Sequence, residues 1–243
     1  MNLTKLDAKW PTPEKVRACT TLRTHGHSNP PFDQNNLALH VGDASVDVIE
    51  NRKDLFQTLN LPKEPAWLHQ THSTRCVVVE DEIERDADAA ITRSPNTPLA
   101  ILTADCLPIL LCNLEGSEIA AIHAGWRGLV NGIVENTLQR LHAQTSDLIA
   151  WIGPAICQSC YAVGDEMYDT YVDRYKPTAS LFKNIGGQRH ANLPKMAEYI
   201  LNAQGVYQVF QSGKCSYENQ NEFYSYRRDG QTGRMATLIW FNE

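Results

Sequence analysis

No segment of this chain is long and apolar enough to cross a membrane. The most apolar run, Leu99 to Cys112, is interrupted by Asp105 and Pro108. Residues Met1 to Pro13 contain no apolar core of secretory-signal length, so a cytoplasmic location is expected. Basic residues are not in excess: 22 Lys and Arg face 28 Asp and Glu, a net charge of −6. That balance provides no electrostatic footprint for nucleic acid or an anionic membrane, although a local basic pocket remains compatible with it. Internal repeats, low-complexity tracts and Gly/Ser/Pro linkers are also missing, which favours a single domain over residues 1–243. No amphipathic zipper or apolar patch is evident, so a monomer is expected.

None of the eight histidines is followed two residues later by Glu, which excludes the H-x-E signature of the usual zinc nucleobase deaminases. Cys157-Gln158-Ser159-Cys160 has a metal-compatible spacing, but alone it reads as an adventitious site. The seven cysteines are odd in number and scattered, as expected of free thiols in a reducing compartment.

What is present is ordinary globular composition, with 42% hydrophobic and 21% charged residues. A chain of this length buries roughly 70–75% of its unfolded surface and needs no staples. Strands are expected over 16–23, 67–70, 76–80, 99–103, 107–112, 119–123, 148–152, 206–211, 222–226 and 235–241. A hairpin turn is expected over 113–116, and Gly125 and Gly128 read as bracketing another turn. Helices are expected over 43–61, with Val46, Ile49, Leu55, Phe56 and Leu59 near one face, and after Gly128, over 165–175 and over 192–204. Hairpins mixed with strand–helix–strand units predict an α+β domain with mixed β-sheets flanked by helices.

Three segments place a metal-competent side chain at a strand end beside a turn. They are Gln70-Thr71-His72-Ser73, Thr103-Ala104-Asp105-Cys106 and His123-Ala124-Gly125-Trp126-Arg127-Gly128. Strand ends hold side chains rigidly while the adjoining loop keeps them accessible. Singly, each of these residues is more often structural. The gaps of 33 residues between His72 and Cys106 and 16 between Cys106 and His123 match no short metal motif.

These segments belong to a longer series: Ala18-Cys19-Thr20 with Arg23, Asn36-Leu37, Glu50-Asn51-Arg52, Trp67-Leu68-His69-Gln70, Asp86-Ala87-Asp88-Ala89, Leu102 to Pro108, His123 to Gly128, Gly153-Pro154-Ala155-Ile156, Ser225 to Asp229 and Thr232-Gly233-Arg234. Along nearly the whole chain, this series resembles the YfiH/laccase-domain family, also described as polyphenol oxidase-like proteins or peptidoglycan editing factors. The resemblance implies an α+β fold and a zinc ion on His72, Cys106 and His123. It also implies phosphorolysis of adenosine, inosine, guanosine and methylthioadenosine, and deamination of adenosine. The implied partners are therefore a purine nucleoside and phosphate.

Within that frame Arg23 and Arg127 are candidates for phosphate, since arginine offers a bidentate fork. A structural ion pair of Arg127 with Asp105 is the alternative. Asp88 and Asp105 are candidates to orient a ligand histidine or carry a proton, Asp105 the stronger. Asn36 and Gln70 are candidates to bind base or ribose. Arg227 and Arg228 read as fold support. Two His and one Cys also form the equatorial set of a blue-copper site, so copper is the alternative metal and a polyphenol oxidase the alternative enzyme. A multicopper site needs many more imidazoles. A cysteine hydrolase or peptidoglycan-precursor editing enzyme, with Cys106 as nucleophile and His123 as base, uses the same residues.

Overall fold

The computed structural model describes residues 4–242. Residues 1–3 and 243, the ends of the expected domain, lie outside them. The strands are β1 (Lys5–Asp7), β2 (Val16–Thr21), β3 (Cys76–Val78), β4 (Ala89–Thr92), β5 (Leu99–Thr103), β6 (Leu107–Asn113), β7 (Ile119–Ala124), β8 (Leu148–Ile152), β9 (Phe182–Ile185), β10 (Gln188–Ala191), β11 (Gln208–Gln211) and β12 (Met235–Phe241). The helices are α1 (Ser45–Thr58), α2 (Trp126–Asn131), α3 (Ile133–Leu138), α4 (Asp165–Arg174), α5 (Leu193–Ala203) and α6 (Tyr226–Asp229).

The fold is α+β, as expected, and its layers follow from side-chain alternation. In β6, Leu107, Ile109 and Leu111 face the core shared with α2 to α5, while Leu110 and Cys112 face the opposite way. In β12, Ile239 and Phe241 meet that second face, and Ala236, Leu238 and Trp240 turn toward α1 and Leu55. The order is therefore helices, six-stranded sheet, four-stranded sheet, helix. Both sheets are covered on both faces, which explains the nearly continuous apolar runs of the central strands.

The six-stranded sheet, ordered β11-β8-β6-β7-β4-β3, is mixed: its outer pairs are parallel and its inner pairs antiparallel. The four-stranded sheet, β1-β2-β12-β5, is wholly antiparallel. The chain passes from one sheet to the other between β5 and β6, across Ala104-Asp105-Cys106 alone. That short crossing positions the site.

Several local expectations differ from the structure. Residues 67–70 form no strand; only Ala66 bridges to Leu99. Residues 222–226 are not a strand either: Ser225 caps α6 by accepting from the backbone of Arg228. The turn expected between Gly125 and Gly128 is the start of α2, with Gly128 buried inside it. A side chain at Gly128 would press on the Ser73 carbonyl, 3.1 Å from an added Cβ, so glycine allows the helix to approach the His72 loop.

Helix α1 buries only part of the expected face: Leu55 is fully buried and Leu59 packs partly against the core. Val48, Asn51 and Leu55 point inward, whereas Val46, Ile49 and Phe56 are exposed. The buried Asn51 amide donates to Ser28 Oγ at 2.9 Å and to the Asn36 carbonyl at 2.9 Å, pinning the long polar loop. A polar anchor at that position overrode the apolar periodicity. The exposed Ile49 and Phe56 join Leu39 around a surface cavity of about 450 Å³, an apolar patch that the sequence reading did not anticipate. Among the described residues, no helix is long and apolar enough to cross a membrane.

Candidate metal centre

The three metal-competent residues converge. His72 lies in the loop before β3, Cys106 ends the crossing between the sheets, and His123 sits near the end of β7. Their donor atoms all lie within 4.8 Å of one another. Cys106 Sγ is 3.7 Å from His72 Nε2, and the two imidazole rings meet edge to face at 4.7 Å. Zinc–sulfur and zinc–nitrogen bonds of ~2.3 and ~2.0–2.1 Å give a tetrahedral edge of about 3.6 Å, so the donor set fits a zinc ion. Gly125 supplies the clearance, because an added Cβ would lie 2.5 Å from His72 Cδ2 and 3.4 Å from Cys106 Sγ.

The backbone at this site is strained and heavily restrained. His72 and Asp105 have φ of 62° and 92°, left-handed values that cost a non-glycine residue ~1–3 kcal/mol. Asp88, fully buried at the start of β4, holds the first of them. Its carboxylate accepts from the backbone N–H of Thr71, His72 and Ser73, and from Ser73 Oγ at 2.7 Å. It also accepts from His123 Nδ1 at 2.7 Å, which directs Nε2 toward the cysteine. Burial pushes the Asp88 carboxyl up, but these bonds outweigh it and hold it down at about 2.

The second strained residue, Asp105, is restrained through its own carboxylate. It accepts from Ser216 Oγ at 2.6 Å and from the Arg227 backbone at 2.7 Å. Orientation of the ligand histidine thus falls to Asp88, and Asp105 fixes the crossing that carries Cys106. Neither contact involves Arg127.

The electrostatics suit a thiolate ligand. Burial alone would raise the Cys106 thiol, but hydrogen bonds from His123 and His72 bring it down to about 6. Burial likewise disfavours charge on His123, but Asp88 and Cys106 overcome it and raise this imidazole to about 9.

Two cavities flank the donors. One, of about 380 Å³, is lined by His40, Gln70, Thr103, Tyr226 and Arg234 together with all three donors. The other, of about 370 Å³, is walled by Trp126, Arg127, Ile156, Tyr161, Tyr226 and Arg227 beside His72 and Cys106.

The remaining candidates divide. Arg127 walls the second cavity, stacks over Trp126 at 4.1 Å and pairs with the exposed Glu166 at 3.0 Å. Gln70 lines the first cavity, and both ends of its amide are engaged with the backbone of Leu102 at 2.8 Å, which ties its loop to β5. Arg23 lines neither cavity; it pairs with Asp33 and Asp229 and lies over Tyr224. Asn36 is fully buried and bonded to Ala38, Asp43 and Arg234, so it too is structural.

His40, Tyr161, Tyr226 and Arg234 escaped the sequence reading. Arg234 is the most telling of them. It is half-buried, its guanidinium donates to the carbonyls of Thr232 and Gly233, and it has no carboxylate within ion-pair distance among the described residues. Arg227 in turn stacks on Tyr161 and donates to Ala162. The Thr232-Gly233-Arg234 motif was legible, but nothing local told that its arginine would face the cavity beside the donors.

Over residues 17–242 the chain matches the family described as multi-copper polyphenol oxidoreductase laccase. It is 41% identical over 234 residues to the purine nucleoside phosphorylase YfiH of Escherichia coli K12, covering 96% of each chain. Among solved structures, a DUF152-family protein of Neisseria meningitidis superposes with a TM-score of 0.94 at 37% identity, over 100% of both chains. The YfiH protein of Bacillus licheniformis superposes with a TM-score of 0.85 at 31% identity, over 93% of this chain and 92% of that one.

Proposed function

The chain belongs to the laccase-like YfiH family, and from that membership we propose that it is a zinc-dependent purine nucleoside phosphorylase. Its substrates are adenosine, inosine, guanosine and methylthioadenosine, and it also deaminates adenosine. The observation that carries this reading is the pairing of unlike cavities around one donor set. On one side stands Arg234, a half-buried cation with no carboxylate within ion-pair distance among the described residues, beside His40. On the other stand the aromatic walls Trp126, Tyr161 and Tyr226.

An uncompensated guanidinium is a natural seat for phosphate. Aromatic walls are a natural seat for a purine. His72, Cys106 and His123 would hold the zinc, which with three protein ligands acts as a Lewis acid and lowers the pKa of water to about 7. Burial and the neighbouring cations Arg234 and Arg52 disfavour the charged form of His40, so the imidazole is neutral until an arriving anion favours its protonation. Arg127 and Arg227 keep their guanidinium planes against Trp126 and Tyr161, framing the base. Phosphorolysis breaks the bond between base and ribose while a phosphate oxygen bonds to the ribose carbon, giving free base and ribose 1-phosphate.

Metal-defined protein incubated with adenosine, with and without phosphate, tests the reading. Phosphate-dependent adenine and ribose 1-phosphate are expected, and phosphate-independent inosine reports the deaminase. Turnover of neither substrate in zinc-loaded protein defeats it. A copper oxidase is less well supported, because the other metal-competent group among the described residues is sulfur-rich and adds no imidazole.

One observation favours a second reading. Asp88, His123 and Cys106 form a hydrogen-bonded relay of the kind that activates a thiol nucleophile. Full activity in protein shown to be metal-free supports that reading and removes the first.

A further inference from the structure

Away from the cavities, Cys157, Cys160, Cys215 and Glu218 bring their donor atoms within 4.8 Å of one another. The four come from two short hairpin-like turns with the same internal spacing, Cys-x2-Cys and Cys-x2-Glu. Cys160 and Glu218 lie 58 residues apart in sequence, yet Cys160 Sγ is 3.5 Å from Glu218 Oε1. The Cys157 backbone N–H donates to Cys215 Sγ at 3.3 Å, which joins the two turns. The two turns are laced by Ala155, whose backbone bonds Lys214 and Ser216.

We propose that these three cysteines and Glu218 form a second metal site, a closed four-donor site for zinc with a structural rather than a catalytic role. Four protein donors complete a tetrahedron and leave no position for substrate. The 3.5 Å sulfur–oxygen separation matches the edge of about 3.6 Å that zinc–sulfur and zinc–oxygen bonds imply. Two-residue spacing within each turn is that of zinc-binding knuckles.

The site braces the wall of the aromatic cavity. On one turn, Ile156 and Tyr161 flank Cys157 and Cys160 and line that cavity. On the other, Ser216 follows Cys215 and holds the Asp105 carboxylate. A metal joining the turns therefore ties the cavity wall to the crossing that carries Cys106. This second site stands apart from the reading of the first, since its donors include none of His72, Cys106 or His123.

The test is metal content and cobalt spectroscopy of the full chain, purified under reductant without chelator. Cys106→Ala protein is expected to keep one zinc equivalent and, after cobalt exchange, a thiolate-to-cobalt charge-transfer band. The Cys157→Ser/Cys160→Ser double variant should lose one equivalent relative to wild type. Glu218→Gln leaves all the thiols in place and guards against misfolding. Its zinc affinity, read by competition with a chromophoric chelator in the Cys106→Ala background, should fall at least roughly 10-fold. Folded Cys106→Ala protein without metal overturns the proposal. So does an unchanged equivalent in the double variant, or a Cys157–Cys160 disulfide in metal-free protein prepared under reductant.

Discussion

The chain assembles two groups of sulfur-containing donors by opposite means. His72, Cys106 and His123 come from three separate elements and meet where the chain crosses between sheets. Cys157, Cys160, Cys215 and Glu218 come from two short turns. The first group lines two cavities and has three donors; the second has four, none of which lines either of those cavities. In the first, imidazoles pull the thiol down to about 6. In the second, burial and then Cys157 push Cys160 up to about 12. An open site needs rigid, distant supports and a pre-set charge, whereas a closed one can be built from local turns that the metal itself draws together.

Substitution at each group separates the two roles most strongly. Cys106→Ala should lower kcat/KM for adenosine phosphorolysis on the order of 10³-fold, the rate equivalent of losing several kcal/mol of Lewis-acid stabilisation, with little change in Tm. Cys157→Ser/Cys160→Ser should do the reverse, lowering Tm more than kcat/KM. Equal effects of both on both readouts would erase the distinction.

Alkylation of metal-stripped protein sharpens the electrostatic contrast. At pH 7 Cys106, held at about 6, is largely thiolate, whereas burial and then Cys157 push Cys160 up and keep it protonated. The lower nucleophilicity of the more acidic thiol offsets only part of that difference, so Cys106 should label faster. Cys106 labelling by iodoacetamide, followed by peptide mass spectrometry, should fall as pH drops through about 6, because protonation then removes the thiolate. Faster labelling of Cys160 would contradict the assignment.

A smaller loss is expected at the residue that orients the histidine. Asp88→Asn keeps the shape but removes the charge that holds His123, and it should weaken zinc binding roughly 10–100-fold in chelator competition. The same change should leave metal at the second group untouched. Smallest is Arg234→Gln, expected to raise the KM for phosphate by roughly 10-fold with the KM for adenosine unchanged, as befits one charge-assisted hydrogen bond. A shift in the adenosine KM instead would move the phosphate seat to the other cavity.

The legibility of the two groups was unequal for physical reasons. Cys157 and Cys160 carry a recognisable spacing, yet the spacing is uninformative without Cys215 and Glu218, which only folding brings near. The residues of the open site have no informative spacing at all, and motif resemblance alone singled them out. Among the supporting groups, Asp88 and Asp105 looked alike in sequence, and the better-placed neighbour of the cysteine drew the stronger expectation. Burial decided otherwise: Asp88 reaches His123 from β4, and Asp105 turns back to Ser216. Arg23, Asn36 and Gln70 likewise sat in matched motifs and have partners within the fold, and a motif does not separate residues that hold the fold from residues that touch a ligand.

By itself the sequence determined the apolar strands β5 to β8, the hairpin of β6 and β7, the capped helix α5 and the identity of the metal-competent side chains. These follow from local periodicity, turn chemistry and motif order, all of which act over a few residues. Tertiary structure alone decided which face α1 buries, which carboxylate orients His123, which arginine faces the His40 cavity and which fourth donor completes the cysteine cluster. Each of those depends on contacts between segments tens of residues apart, where burial and charge compensation are set by the packed fold rather than by neighbours in the chain.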